Sequence, residues 1–239
     1  MKNTFIIAEI GNNHFGSIHL AKELIQAAKE SGADAVKGQV FFANKLTGSM
    51  GQDFYEQCAT IFEHINDLIY YARSIDIDLF FSFFHGALEE LESLMKYRKI
   101  SASQFRDYAL KNKKIKDWDL DRSDTFISIP SDVQLPILHN AIPMHVTDYL
   151  TDTPNLSRID LMRDFYSGIR TEDVAIGYSD HTAGIENCFK AVKDHGASVI
   201  EKHFTLMHNL AWGGKVFRDT MHGADPGELK ELVDRVRSL

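Results

Sequence analysis

Eight short β-rich runs alternate with amphipathic stretches of helical period along the whole sequence. This alternation constrains the fold more than any other feature, because it is the pattern of a parallel sheet built from βα units. The runs lie at 4–9, 34–40, 77–83, 97–102, 124–129, 143–147, 174–178 and 198–204. Helices are predicted over 17–31, 53–75, 86–96, 104–114, 131–139, 156–166, 183–195 and 226–238. The first helix shows the reasoning: Ser17 is placed to cap its N-terminus, Leu20, Leu24, Ile25 and Ala28 form one apolar stripe, and Gly32 follows its end. Eight such units predict an α/β protein of the (β/α)8 TIM-barrel class. A doubly wound open sheet carries the same local signals and stands as the alternative at this level. The 239 residues are close to the ~250 typical of one such barrel and predict a single domain over 1–239.

Composition narrows the function classes. Hydrophobic residues make up 44% and charged residues 25%, enough for one core and unlike the composition of a disordered chain. A formal charge of −8 argues against a nucleic-acid or membrane-surface partner, since neutralising phosphates needs clustered Lys and Arg in excess. The N-terminal apolar run reaches an acid at Glu9 and reads as a strand, not a secretory signal, and no apolar run approaches the ~20 residues that span a bilayer. Cys58 and Cys188 are in no metal-type or redox-type spacing and predict reduced, packed thiols in a cytoplasmic protein. The charge run Lys111–Asp117 reads as a solvated helix end.

In a barrel of this class the site lies at the C-terminal ends of the strands, so polar residues there carry the functional information. The first strand ends at Glu9, the second carries Lys37 and Gln39, the fourth carries Lys99, the fifth ends at Ser128, the seventh runs into Ser179, Asp180 and His181, and the eighth carries Glu201, Lys202 and His203. Ionisable groups are seldom buried unless paired or used, so their density on apolar strands is a site signal. His181 and His203 lie one βαβ step apart, which puts two imidazoles side by side at the mouth. They suit a divalent metal with open positions for water and substrate, and the spacing equally fits hydrogen-bonded barrel histidines without one. Lys37 and Lys99, with Ser128 and Ser179, suit a phosphate- or carboxylate-bearing substrate; the competing reading for either lysine is a salt bridge with Glu9, Glu201 or Asp180.

Four blocks carry a resemblance: Ile6-Ile7-Ala8-Glu9-Ile10-Gly11-Asn12-Asn13-His14-Phe15-Gly16-Ser17, Gly32-Ala33-Asp34-Ala35-Val36-Lys37-Gly38-Gln39, Ile176-Gly177-Tyr178-Ser179-Asp180-His181-Thr182 and Val199-Ile200-Glu201-Lys202-His203-Phe204. In order and spacing they resemble the sialic acid synthase family, also known for N-acetylneuraminate synthases, over essentially the whole chain. The resemblance implies a metal-dependent barrel transferase that condenses phosphoenolpyruvate with an N-acylmannosamine-type sugar to a nonulosonic (sialic-type) acid and releases phosphate. It implies His181 and His203 as ligands of a divalent metal, Mn2+ or Mg2+. Lys37, Lys99, Ser128 and Ser179 are then expected to bind phosphoenolpyruvate, and Glu9, Gln39, Glu201 and Asp219 to line the sugar side. Glu9, Lys37 and Gln104 are expected at the catalytic positions.

The match departs from the family's pattern at defined places. Where the family reads Lys-Ile-x-Ser-Gly-Glu, this chain reads Lys99-Ile100-Ser101-Ala102-Ser103-Gln104, so Gln104 occupies the position of a catalytic carboxylate and cannot exchange a proton as one. Ser82 keeps a hydroxyl in Phe81-Ser82-Phe83-Phe84, where the family ends a strand Ser-Thr-Pro-Phe. His145-Val146-Thr147-Asp148-Tyr149 replaces Cys-Thr-x-x-Tyr-Pro. The sequence ends after the eighth helix, without the antifreeze-like domain of the family, so a homo-oligomer or a partner chain is expected to complete the site. A different metal-dependent aldolase or lyase on a pyruvate-derived substrate, or a catalytically silent binding subunit, are the alternatives these departures leave open.

Overall fold

The computed structural model describes residues 4–43, 50–84, 93–110, 121–147 and 153–239. Eight parallel strands close into a barrel in sequential order: β1 (Phe5–Gly11), β2 (Ala35–Val40), β3 (Asp78–Phe83), β4 (Arg98–Ile100), β5 (Thr125–Ile129), β6 (Ile142–Val146), β7 (Gly177–Asp180) and β8 (Val199–His203). The open-sheet alternative is excluded by the pairing of β1 with both β2 and β8. A short antiparallel hairpin, β9 (Ala211–Trp212) and β10 (Lys215–Val216), follows the barrel.

Strand alternation builds the interior in layers, because every second side chain of a barrel strand points inward. Ile7, Ala35, Phe80, Phe126, Met144 and Val199 form one apolar layer inside the barrel, with the Phe80 and Phe126 rings 5.9 Å apart. Two residues further along each of those strands stand Glu9, Lys37, Ser82, Ser128, Val146 and Glu201, all facing a cavity at the C-terminal mouth. The apolar layer is thus the floor of the cavity. Its packing leaves no room at Gly177, where an added Cβ would lie 2.6 Å from Met144 Cγ.

The outward-facing residues of β7 and β8 hold a buried polar network between barrel and helices. Lys202 Nζ donates to Asp180 Oδ2 at 2.8 Å and to the Thr182 carbonyl. Asp180 Oδ1 also accepts from Tyr178 Oη and Thr182 Oγ1, each at 2.8 Å, and Cys188 Sγ approaches Oδ2 at 3.4 Å. Both charged side chains are fully buried. Burial alone would raise the Asp180 carboxyl, but Lys202 and the hydroxyl donors bring it below its ordinary range. Both cysteines are free and buried, in accord with packed thiols.

The helical expectations need several corrections. The helix expected over 53–75 is broken into Gln52–Ala59, a 3-10 turn Thr60–His64 and Ile65–Ser74. Thr60 Oγ1 bonds back to the Gln57 carbonyl at 2.7 Å, the local competition that weakens a helix interior. The helix expected over 131–139 is absent; a turn at 131–132 leads into irregular backbone. Pro136 has no amide to donate, and the Asp121 carboxylate takes the amides of His139, Asn140 and Ala141 at 2.8–3.0 Å. Residues 93–96 of the helix expected over 86–96 form a turn, and the rest of that prediction lies outside the described residues. The helix expected over 104–114 begins earlier, at Ala102, and is described to Leu110. The remaining helices, Ile18–Glu30, Ser157–Ser167, Glu186–Lys193 and Pro226–Arg237, lie within their expected ranges to a residue or so.

Burial of His145 on the outer face of β6 sets a pH dependence. Its ring packs on Tyr178 at 5.7 Å between centroids, and burial, reinforced by Arg158, lowers its pKa to about 4. The unfolded chain binds that proton near its ordinary value, so between pH ~6.5 and ~4 the unfolded state holds more protons and stability falls on acidification by up to ~1.4 kcal/mol per pH unit for this one group. Urea unfolding at pH 7, 6 and 5 is expected to show that loss. His145→Leu is expected to flatten it by about one proton; an unchanged slope would exclude a buried neutral ring here.

Candidate active site

The cavity at the mouth encloses about 270 Å³, at the small end for ligand sites and suited to metabolites. Strand register dictates which polar groups meet there. Glu9 is opposite Lys37 on β2 and His203 on β8, Ser179 is opposite Glu201, and Ser82 is opposite both Gln39 and Lys99. Of the residues singled out by sequence, Glu9, Lys37, Gln39, Ser82, Lys99, Ser128, Ser179, Glu201, His181 and His203 all line this cavity.

Four of them form one buried charge array. Lys37 Nζ contacts a Glu9 carboxylate oxygen and lies 3.1 Å from Glu201 Oε1, while Lys99 Nζ lies 2.9 Å from Glu201 Oε2. Ser179 Oγ donates to Glu201 Oε1 at 2.8 Å, and Lys99 also reaches Met144 Sδ at 3.1 Å. Salt bridges are therefore present at both lysines, with Glu9 and Glu201 and not Asp180 as partners. Burial lowers Lys37 to about 8, against the attraction of Glu201 and with the repulsion of Lys99. Burial also lowers Lys99. For Glu201 burial acts upward, but the two lysines outweigh it and hold the carboxylate ionised.

His181 and His203 stand beside this array with ring centroids 5.1 Å apart. Burial lowers His181 to about 4, with the neighbouring His203 adding to the effect, and lowers His203 to about 3, with Lys37 and Lys202 adding. Both rings are neutral at physiological pH. His181 Nδ1 is 2.6 Å from the Thr147 carbonyl, which fixes Nδ1 as the protonated nitrogen. Thr147 Oγ1 is in turn 2.7 Å from Tyr178 Oη, so the outer network orients the inner ring.

Around Gly11 the chain leaves a gap that three polar groups share. Gly11 has φ of +45°, and a Cβ there would meet Glu9 Oε1 at 3.1 Å, Asp219 Oδ2 at 3.5 Å and Gln39 Nε2 at 3.6 Å. Asp219 comes from the short helix Arg218–His222, with Oδ2 4.0 Å from His203 Nδ1. Asp219, expected on the sugar side, is not among the residues that line the cavity. Glu9 Oε1 is buried with no hydrogen-bond partner among the described residues.

Gln104 is placed differently from the expectation. Its Oε1 accepts from the Ser101 amide at 2.9 Å, and its amide nitrogen points at Ser101 Oγ at 3.4 Å. This is a capping box at the start of helix Ala102–Leu110. Nε2 donates to the Phe83 carbonyl, tying the end of β3 to that helix. The side chain is committed to backbone and does not line the cavity. Asp148 lies outside the described residues. Arg106 and Thr147 line the cavity but are not singled out by sequence. The Ser-x-x-Gln signature at 101–104 is the signal for Arg106, because it fixes the helix start and so the face on which Arg106 falls.

Two neutral imidazoles side by side, near a buried Glu9 oxygen with no hydrogen-bond partner among the described residues, are a donor set that fits a divalent cation. Among the described residues no third His, Cys, Asp or Glu closes a three-ligand cluster with the pair; the one such grouping is His208, Asp225 and Glu228. There Asp225 and Glu228 already form the capping box of helix Pro226–Arg237. A cation at the histidine pair would draw its other ligands from substrate and water.

A closed barrel with buried, mutually neutralised ionisable groups at its C-terminal mouth defines a protein of the enzyme class that uses this fold. Residues 145–239 match the NeuB family. The chain is similar to an uncharacterized protein of Methanocaldococcus jannaschii, at 33% identity over 98% of this chain and 70% of that protein. It is also similar to an N,N'-diacetyllegionaminic acid synthase of Legionella pneumophila, at 32% identity over 98% of this chain and 71% of that one. The crystal structure of an N-acetylneuraminic acid (sialic acid) synthetase from Leptospira borgpetersenii shares the fold, with a TM-score of 0.77 at 24% identity over 99% of this chain and 83% of that one. The chain belongs to the NeuB family, whose named members include synthases of sialic-type acids. No helix among the described residues is long and apolar enough to cross a membrane.

Proposed function

We propose that the protein condenses phosphoenolpyruvate with an N-acylated mannosamine-type sugar to a nonulosonic acid and inorganic phosphate. The observation that carries this reading is the buried Glu9–Lys37–Glu201–Lys99 array beside two neutral imidazoles, in a chain whose relatives make acids of this type. A divalent metal held by His181 and His203 would supply Lewis-acid polarisation of the sugar's aldehyde oxygen. Lys37 and Lys99 bind the carboxylate and phosphate of phosphoenolpyruvate, with Ser128 and Ser179 as neutral donors. Glu9, Gln39 and Glu201 orient the hydroxyl and acylamino groups of the sugar.

The chain's own residues account for the protons. As C3 of phosphoenolpyruvate attacks the aldehyde carbon, the new alkoxide needs a proton. Lys37, lowered to about 8 by burial, is an acid of suitable strength near neutral pH. Water then adds at C2 and phosphate leaves, with Glu9 as the nearby buried carboxylate that accepts the proton of that water. Gln104 has no part in this scheme, because its amide caps a helix.

Phosphate release from phosphoenolpyruvate, measured with Mn2+ and a panel of acylated hexosamines, tests the reading. Release that depends on the sugar is expected, together with a keto acid product of matching stoichiometry. Sugar-independent release, or none across the panel while phosphoenolpyruvate binds, would instead favour an aldolase or lyase, or a silent binding subunit.

A further inference from the structure

We propose that Arg106 is an anion-binding residue of the cavity, gripping the phosphate group of the phosphoenolpyruvate-type substrate after exchanging Asp132 for it. This role rests on the functional reading above. Among the described residues, five charged side chains line the cavity: Glu9, Lys37, Lys99, Arg106 and Glu201. The two lysines are already matched by two buried carboxylates within salt-bridge distance, so this inner array presents almost no net positive charge to a ligand. Phosphoenolpyruvate carries a carboxylate and a phosphate, between two and three negative charges near neutral pH. A divalent cation offsets two of them, and a further cation is needed.

Arg106 is the cation placed to supply it. It stands in the second turn of helix Ala102–Leu110, whose start at Ser101, Ala102 and Ser103 also faces the cavity. One of its ion-pair partners, Asp132, meets it at 2.9 Å through Nη2 and 3.3 Å through Nε, both to one carboxylate oxygen. The side chains are 38% and 63% exposed. An exposed pair of this kind contributes little and is readily exchanged, whereas the planar guanidinium fork matches two phosphate oxygens at once. A second observation on the same wall points to a ligand. Ser82 Oγ lines the cavity, is completely buried and has no hydrogen-bond partner among the described residues. Gln104 fastens this wall together, joining the helix start to the Phe83 carbonyl next to Ser82. First-turn amides of the helix add donors of the same polarity.

Calorimetric titration of the full chain with phosphoenolpyruvate, and separately with inorganic phosphate, tests this in the presence of Mn2+. Arg106→Gln is expected to weaken phosphoenolpyruvate binding by about 10- to 100-fold, the loss of a charge-assisted bidentate contact. Asp132→Asn, which removes the competing carboxylate, is expected to tighten binding a few-fold, and it acts in the opposite direction to any loss of folding. Inorganic phosphate should respond with the same signs if Arg106 takes the phosphate group. Wild-type affinity in Arg106→Gln overturns the assignment while leaving the condensation reading standing. Failure of the wild-type chain to bind phosphoenolpyruvate at all overturns the condensation reading itself.

Discussion

Replacing His203 with alanine is expected to weaken Mn2+ binding by at least about 100-fold and to lower turnover by about 10³-fold or more. The two effects share one cause. Among the described residues the proposed site offers two histidines, so either substitution leaves a single imidazole, and substrate and water cannot restore the lost donor. Polarising a carbonyl oxygen contributes several kcal/mol to the transition state, and each 1.4 kcal/mol is a factor of ten in rate. His181→Ala should behave alike, whereas His145→Leu, on the outer face of the barrel, should leave metal content unchanged. Metal analysis of purified variants and titration with Mn2+ decide the matter without reference to activity. Equal metal content in the wild type, His181→Ala and His203→Ala would remove the histidine pair from any metal site and, with it, the Lewis-acid step of the proposal.

Lys202→Met is expected to destabilise the fold by about 3–5 kcal/mol, because it leaves the Asp180 carboxylate buried without its counter-charge. For a chain of this size that corresponds to a fall in Tm on the order of 10 °C. The donors that remain, Tyr178, Thr182 and Cys188, satisfy hydrogen bonds but bring no charge. The double substitution Asp180→Leu with Lys202→Met should recover much of the loss, since replacing a whole buried ion pair with apolar groups is often close to neutral. Thermal and urea unfolding of the single and double variants measure this. A single variant within about 1 kcal/mol of wild type, or a double variant no better than the single, would contradict the buried pair.

Much of the barrel is legible in the sequence because a parallel barrel strand is short, apolar and bracketed by helices. All eight runs coincide with strands, and the displacement of the seventh from 174–178 to Gly177–Asp180 reflects Ser179 and Asp180, polar residues that read as loop although neighbouring strands pair with them. The gathering of Glu9, Lys37, Lys99, Ser179 and Glu201 is foreseeable, because one rule about the C-terminal ends of barrel strands selects them all. What composition does not supply is the use to which side chains are put across the fold. The capture of the His139, Asn140 and Ala141 amides by Asp121, at and just beyond the end of the helix expected over 131–139, depends on two segments meeting in space. Gln104 departs from its expected role for a more local reason: its place in the motif suggests chemistry, while the Ser-x-x-Gln spacing that assigns it to a cap is equally visible in the sequence. The hairpin Ala211–Val216 falls outside the eight-unit pattern, although Gly213-Gly214, both at positive φ, is the two-residue loop such a turn favours.

The inward and outward alternation of Ser179, Asp180 and His181 carries a consequence for reading variants of this chain. Three consecutive residues divide between two unrelated jobs, the first and third facing a ligand cavity and the middle one closing a sealed ion pair behind the barrel wall. Screens that register only product formation would group Asp180 and Lys202 with His181 and His203, through loss of soluble protein instead of loss of chemistry. Assigning function from such screens therefore requires the amount of folded chain to be measured alongside, and a paired substitution at 180 and 202 separates inheritance of architecture from inheritance of reaction.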